Sequence, residues 1–547
     1  MPIEVGWRPG QAVERPAVRE RTEAILNRSR IWTILALAVI LLISLARVPH
    51  LDFPLERDEG EFGYIAQQLL HGVPVYVSAY TQKLPGSYFM YAIFLALFGQ
   101  SPFAIHLGLL LVNAATMALI FLTLRLTHGG LAGVTGALVF GFMALSPTVL
   151  GFAGHATFFM AMFAMAGLYL FLLARDRASV RLYLGSGLCF GLAFLMKQPA
   201  LFFAPMLALF MVVHALAAGS KRPPRFTLQV VAFVAGSLAP YLLVVAYYLA
   251  LGKFPLLWFW SFQFAREFVN QVGLMDGLMN FVDKVRTVVS GFEVLWLMAI
   301  AGFLVLLRDV VGGKGRYPYL AFGLASMLSI VPGFYFASHY FVSLLPFVAL
   351  SIGYLVGAVQ GRRASIVMGV WVAAGLLIGF ARYEPYFTAR VSDDVISHSR
   401  YAGNPFPECV QIAQYVKSHT APGDSIAVLG SETQIFFEAQ RPSASRFVNV
   451  YYLTAEHSRN REMQLEMIRD IERVRPKYLI YVHIPWSWAL RPTTPRDLRN
   501  WFDAYRWNYE VEGVLQVHAD RNVMTWGDDA RAITPTQSYI EVLRRID

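Results

Sequence analysis

The sequence predicts an α-helical polytopic membrane protein of about eleven transmembrane helices, with interfacial helices in its first external loop and a C-terminal extracytoplasmic α/β domain. Three observations carry this expectation. The 547-residue chain is 56% hydrophobic and 15% charged, with a mean hydropathy of +0.48, too apolar for a soluble protein of its size. Its basic residues fall in short clusters between apolar segments, as topology signals do. From Arg382 onward the composition turns polar, and short apolar runs alternate with amphipathic ones, the mark of strands alternating with helices.

Residues 1–30 carry Arg8, Arg15, Arg19, Arg21, Arg28 and Arg30, which by the positive-inside rule hold an N-terminal tail in the cytoplasm. This polar stretch before the apolar run 31–46, and the absence of small residues in Arg47-Val-Pro-His, argue against a cleavable signal. The first span therefore delivers the loop 49–102 to the outer side. Within it, 58–71 reads as a short helix lying on the bilayer, apolar face down: Phe62, Ile65 and Leu69 fall at helical spacing, Asp58 and Glu59 occupy the first turn, and Gly72 ends it. Residues 84–98 fall short of the roughly 20 that a span needs, and are read as a second interfacial helix.

The remaining spans then fall at 103–125, 130–150, 156–174, 182–196, 199–217, 226–250, 287–307, 317–332, 339–360 and 364–381. This assignment places the connections bearing Arg125, then Arg175, Arg177 and Arg181, then Lys221, Arg222 and Arg225, then Arg308, Lys314 and Arg316, then Arg362 and Arg363 in the cytoplasm. The opposite connections, 151–155, 197–198 and 333–338, hold one lysine, Lys197. Inserting 84–98 as a span destroys the pattern. The organisation is thus a tail 1–30, a membrane part 31–381 with its first loop 49–102, and an external domain 382–547, in a multi-pass protein of the cytoplasmic (inner) membrane.

The external segment 251–286 contains the aromatic run from Trp258 to Phe264, suited to the membrane interface and to a lipid chain. In the C-terminal domain 408–419 and 461–473 read as helices, and 425–429, 446–451 and 477–483 as strands. The turn after Leu429 lacks a phosphate-binding fingerprint, and no nucleophile motif of the form Gly-x-Ser-x-Gly is present. A structural or acceptor-binding role is expected there. The net charge of +10 is spread over the topology clusters, which excludes a nucleic-acid partner, and Cys189 and Cys409 form no metal-binding pair.

Charge is scarce in this chain, yet Asp52, Glu56, Asp58, Glu59 and Glu61 gather in the first external loop with only Arg57 and Lys83 as basic companions. An enzyme working at an outer membrane face has no cytosolic nucleotide sugar within reach, so a transferase there needs a donor carried in the lipid. A polyprenyl-phosphate sugar requires cations for the phosphate and a carboxylate base or a metal to activate the acceptor. The Asp58-Glu59 pair after a single span, the following helix, Lys83-Leu-Pro85 with Tyr88 and Tyr91, Lys197-Gln198 and the Ser338-to-Pro346 stretch resemble the C-type membrane glycosyltransferases. The branch most similar is the group of protein O-mannosyltransferases, lipid A aminoarabinose transferases and rhizobial lipopolysaccharide core transferases.

That resemblance implies inverting transfer from a polyprenyl-phosphate-linked sugar to a glycan, lipid or protein hydroxyl. It implies Asp58 as base or metal ligand with Glu59 in support, Arg57, Lys83 and Lys197 on the donor phosphate, and His155, His339 and Tyr340 as acceptor-binding or supporting residues. The second external loop, Gly151 to Phe159, lacks the carboxylate that many relatives carry there, which leaves a divalent metal open and favours a metal-independent base. A lipid transporter or flippase would place ionisable residues in mid-membrane, where these spans have almost none; an inactive scaffold would keep the fold without the base. The topology is tested by reporter fusions: one after Arg382 is expected outside and one after Arg362 in the cytoplasm, and a cytoplasmic signal at Arg382 would mean that 84–98 crosses the membrane.

Overall fold

A computed structural model of the chain describes residues 16–217, 225–518 and 521–546, with side chains from residue 30 onward. The expectations placed on Arg8, Arg15, Lys221 and Arg222 lie outside the described residues. Seven described helices are long and apolar enough to cross a membrane: Arg30–His50, Pro102–His128, Ala156–Asp176, Gln198–Ala217, Phe226–Ala250, Glu293–Val311 and Arg362–Phe387. The other four predicted spans correspond to shorter helices, Gly130–Ala144, Val180–Met196, Tyr317–Ser329 and Leu345–Ala358. At about 1.5 Å per residue such helices fall short of a hydrocarbon core of roughly 30 Å. Three are flanked by tight turns, Pro147–Val149, Gln198–Phe202 and Ser338–Ser343, each with buried residues. Irregular backbone at membrane depth is tolerated where protein rather than lipid surrounds it.

Small residues set how closely the helices approach. Gly187 and Gly191, four apart on Val180–Met196, face the helix Phe226–Ala250, and a Cβ on Gly187 would lie 2.1 Å from the Phe233 carbonyl oxygen. On the facing helix a Cβ on Gly236 would lie 2.3 Å from the Leu184 carbonyl oxygen. Without a hydrophobic force between helices in lipid, such close backbone packing is what holds a pair together. The last long helix bends where its sequence changes character: Tyr383 leaves helical geometry (φ −122°, ψ 20°) two residues before Pro385.

Beyond this kink lies a five-stranded sheet, β1 (Ile426–Leu429), β2 (Tyr478–His483), β3 (Tyr509–Gln516), β4 (Val523–Trp526) and β5 (Tyr539–Arg545), in the order β1-β2-β5-β3-β4. β1 and β2 run parallel, joined by a crossover containing the helix Asn460–Val474, and the other pairs are antiparallel. The expected strand at 446–451 does not form. Arg446 instead gives its carbonyl to the Tyr80 backbone N–H of the first loop (2.8 Å), and Ala444 returns its N–H to Ile426. The strands β3 to β5 were not anticipated, because glutamates and arginines break the apolar alternation in Glu510, Glu512, Glu541 and Arg544.

The first-loop helix is also placed differently from expectation. It spans Arg57–Leu70 and is buried from Glu59 to Gln67, so it is sandwiched in protein rather than laid on the bilayer. Its cover is the C-terminal helix Gln434–Ala439: Gln67 donates to the Phe437 carbonyl (3.1 Å), Thr433 donates to the Arg57 carbonyl (2.5 Å), and Tyr64 accepts from the Ser443 N–H (2.9 Å). Two helical glycines permit this approach, and a Cβ on Gly60 would sit 2.2 Å from the Gln434 backbone nitrogen. The aromatic run 258–264 divides likewise: Trp258 is exposed, while Trp260 is buried and stacks on Tyr80 with ring centroids 4.6 Å apart. Gly60→Ala is expected to push the two layers apart and lower stability by roughly 1–3 kcal/mol, read as a lower melting temperature with faster protease release of the C-terminal region.

Candidate active site

The acidic loop resolves into carboxylates with separate tasks, and the helix start separates them. Glu56 is the N-cap of Arg57–Leu70: it accepts from the Glu59 N–H (3.0 Å), and Glu59 accepts from the Glu56 N–H (3.4 Å), a reciprocal capping box. Asp58 and Glu61, three apart, project from one face of the helix, and Glu59 projects from another. Glu59 is fully buried, taking the Gly154 N–H at 2.5 Å and facing His106 Nε2 at 3.0 Å. It fixes the loop 151–155 beneath the helix and does not line the cavity described below.

Lys83 joins the carboxylates of the other face. Its ammonium donates to Asp58 Oδ1 (2.8 Å) and to Glu61 Oε1 (3.3 Å), and lies 4.5 Å from the Phe62 ring centroid. Glu61 has no exposed surface and is satisfied by the Tyr88 hydroxyl (3.1 Å), Thr81 (2.8 Å), Tyr452 (3.1 Å) and Asn449 (3.4 Å). Burial alone would lower the Lys83 ammonium, but its two carboxylate partners hold it well above the usual lysine range. Burial alone would raise Asp58, but Lys83 beside it brings that carboxyl down to about 2. Glu56, buried next to Asp58 and Glu59, is pushed well above the usual carboxylate range.

Arg57 turns the opposite way. Its guanidinium donates to Glu432 Oε1 (2.7 Å) and Asn404 Oδ1 (2.6 Å) and lies over the Phe406 ring, tying the start of the helix to the C-terminal region. Glu432 in turn accepts from the Ser487 hydroxyl (2.6 Å).

A cavity of about 590 Å³ opens over Asp58. Its polar wall holds Glu56, Arg57, Asp58, Lys83, His155, Lys197, His339 and Tyr340, so every site residue singled out in the sequence reaches it except Glu59. Its apolar wall is Met196, Leu201, Phe202, Phe268 and Val269, and Asn449, Tyr451, Tyr452 and Trp486 close it from the C-terminal side. Lys197 follows the helix Val180–Met196 in extended conformation, donates to the Thr157 hydroxyl (2.9 Å), and sits 4.0 Å from the Tyr340 ring centroid. Burial lowers its ammonium, and the amine titrates at about 7. His155 Nδ1 stands 3.9 Å from Asp58 Oδ2, and burial drops that imidazole to about 4, so it is neutral at physiological pH.

Asp58, His155 and His339 bring one ligand atom each to within 4.8 Å of one another, a donor set of the kind zinc takes. The arrangement does not fit a shared ion. The two imidazoles are stacked, with centroids 4.0 Å apart and 13° between planes, whereas a metal binds along each ring plane at about 2.1 Å. Stacked planes do not converge on one point, and Lys83 already holds one Asp58 oxygen.

Residues 82–244 match the family described as dolichyl-phosphate-mannose-protein mannosyltransferase. No curated protein matches the chain in sequence. In three dimensions the chain is similar to ArnT from Cupriavidus metallidurans bound to undecaprenyl phosphate, at a TM-score of 0.59 and 13% identity over 94% of this chain and 98% of that one. The fold is that of the C-type membrane glycosyltransferases. A second similarity within the C-type fold is to the archaeal oligosaccharyltransferase AglB from Archaeoglobus fulgidus in complex with an inhibitory peptide and a dolichol-phosphate, at a TM-score of 0.51 and 15% identity over 90% of this chain and 74% of that one.

The C-type core brings in residues that sequence reasoning passed over. Glu61 was legible as the partner of Asp58 three positions on, whereas Glu432, Asn449 and Tyr452 carry no local signal and reach the site only through tertiary packing. Glu61→Gln keeps the shape but removes a charge that partners the Lys83 ammonium, and is expected to cost roughly 1.5–3 kcal/mol, measured as a drop in melting temperature.

Proposed function

We propose that the protein is an inverting glycosyltransferase that moves a sugar from a polyprenyl-phosphate donor to an acceptor hydroxyl at the outer face of the cytoplasmic membrane. The observation that carries this reading is a single cavity with two kinds of wall: a carboxylate flanked by two lysines on one side and a continuous apolar surface on the other. A lipid-linked sugar needs both at once. The undecaprenyl phosphate bound to ArnT and the dolichol-phosphate bound to AglB support a donor of this class. In this reading the part 31–381 carries the donor site in its first loop 49–102, and 382–547 supplies the acceptor-facing wall.

Lys83 and Lys197 take the donor phosphate, and Arg57 holds the wall through Glu432. Asp58 at about 2 is a weak base while Lys83 is bound to it. A phosphate anion drawing the Lys83 ammonium toward itself frees the carboxylate, so arrival of the donor raises the basicity of Asp58. The acceptor hydroxyl then gives its proton to Asp58 as its oxygen bonds to the anomeric carbon. The bond from that carbon to the phosphate oxygen breaks, and its electron pair leaves with polyprenyl phosphate, steadied by the two lysines.

Asp58→Asn retains the side-chain shape but takes up no proton, so it is expected to insert normally and to lose transfer by at least about a hundredfold; near-normal transfer would remove the base. A second measurement addresses Lys197. The donor is a phosphodiester and keeps one negative charge, so binding should weaken as pH rises through about 7 and the lysine loses its proton. Lys197→Arg, always charged, is expected to flatten that profile in an equilibrium binding assay.

A further inference from the structure

A separate cavity of about 580 Å³ lies on the C-terminal region, at the end of β2 and under the helix Asp497–Tyr505. It is lined by Tyr481, His483, Trp486, Leu490, Arg491 and Arg499, among others, and no carboxylate is part of the lining. Two tryptophans of the turn behave oppositely. Trp488 is buried and donates its indole N–H to the Val482 carbonyl (2.6 Å), which anchors the turn. Trp486 is 69% exposed and lines both this cavity and the one over Asp58. A large aromatic held in water on an anchored turn is a binding platform rather than a core residue.

The charges point to the ligand. Arg499 is exposed and makes no hydrogen bond or ion pair among the described residues, and Arg491 reaches Glu456 only at 3.5 Å. A guanidinium presents a planar fork that matches a carboxylate or phosphate. The indole face of Trp486 suits the C–H face of a sugar ring, and His483, stacked on Tyr539 with centroids 4.8 Å apart, stands near for hydroxyl groups. An extended peptide is disfavoured by the topology: β2 is an interior strand between β1 and β5, so the cavity offers no open sheet edge to pair with.

We propose that this cavity is an acceptor subsite for an anionic glycan, with one sugar ring on Trp486 and a carboxylate or phosphate group on Arg499. It rests on the glycosyltransferase reading, because Trp486 lines both this cavity and the one over Asp58.

Full-length protein in lipid nanodiscs is titrated with a hyaluronan tetrasaccharide, mannose 6-phosphate, neutral chitotetraose and a serine-rich peptide, by calorimetry and saturation-transfer NMR. Binding of a polyprenyl-phosphate sugar is measured on the same samples. The expected result is binding of the carboxylated or the phosphorylated sugar, which also distinguishes the two anions, with weaker binding of chitotetraose. Arg499→Gln should weaken anionic binding about tenfold and Arg499→Lys less, both with donor binding unchanged, and Trp486→Ala should weaken every sugar. Failure of both anionic sugars to bind, equal binding of chitotetraose, unchanged affinity in Arg499→Gln and Trp486→Ala, or preference for the peptide overturns the subsite. Failure of the parent protein to bind the polyprenyl-phosphate sugar counts against the transferase reading instead.

Discussion

A lysine ammonium shared between two carboxylates is the interaction on which the site depends. Lys83 is largely withdrawn from water, and an unpaired charge there would be costly, so Asp58 and Glu61 must both be in place. Glu61, with no exposed surface, requires in turn the hydroxyls of Thr81, Tyr88 and Tyr452. These groups come from the loop, from the helix Gly86–Phe98 and from the C-terminal region, so satisfying one buried carboxylate aligns three parts of the chain around Asp58. Such a network rigidifies what it satisfies. The geometry of Asp58 is thereby set before any substrate arrives.

The neighbouring acids show how one short acidic stretch serves several ends. Glu56 and Glu59 close the helix start on each other, Glu59 reaches down to His106 and Gly154, and only Asp58 is left half-exposed at the cavity. The separation follows from helical geometry: adjacent residues point about 100° apart, whereas those three or four apart share a face. Two glycines on the covered side let the C-terminal helix sit against the backbone, and this places Tyr452 and Asn449 over the same face as Lys83.

Much of this was legible in the sequence and some of it could not be. Apolar runs report on membrane helices directly, because in lipid the backbone must satisfy itself within each segment, and each predicted span coincides with a helix. Asp58 and Lys83 stand out in the first loop because charge is scarce elsewhere, whereas Lys197, His155, His339 and Tyr340 come through the resemblance to the C-type transferases; all six share one cavity. The reading of the first-loop helix as a bilayer helix erred because periodicity reveals an apolar face without saying what covers it. Here the cover is protein contributed by residues 433–443, far along the chain. The strand expected at 446–451 failed for a related reason: its backbone is used by the first loop. The hydrogen-bond partners of Arg57, and Asn449 and Tyr452 among those of Glu61, are set by contacts across more than 340 residues, and no window of sequence carries that information.

The separation between those partners has a consequence for how the protein is made. The loop with Asp58 and Lys83 emerges from the ribosome long before Glu432, Asn449 and Tyr452 are synthesised. Until then Arg57 has no Glu432, and Glu61 lacks two of its donors. A half-made chain therefore holds its acids and lysines in an open vestibule without the lid that completes the chamber. The chamber over Asp58 is thus completed only after residues 432–452 have been made, so its assembly is a late step in the folding of the chain.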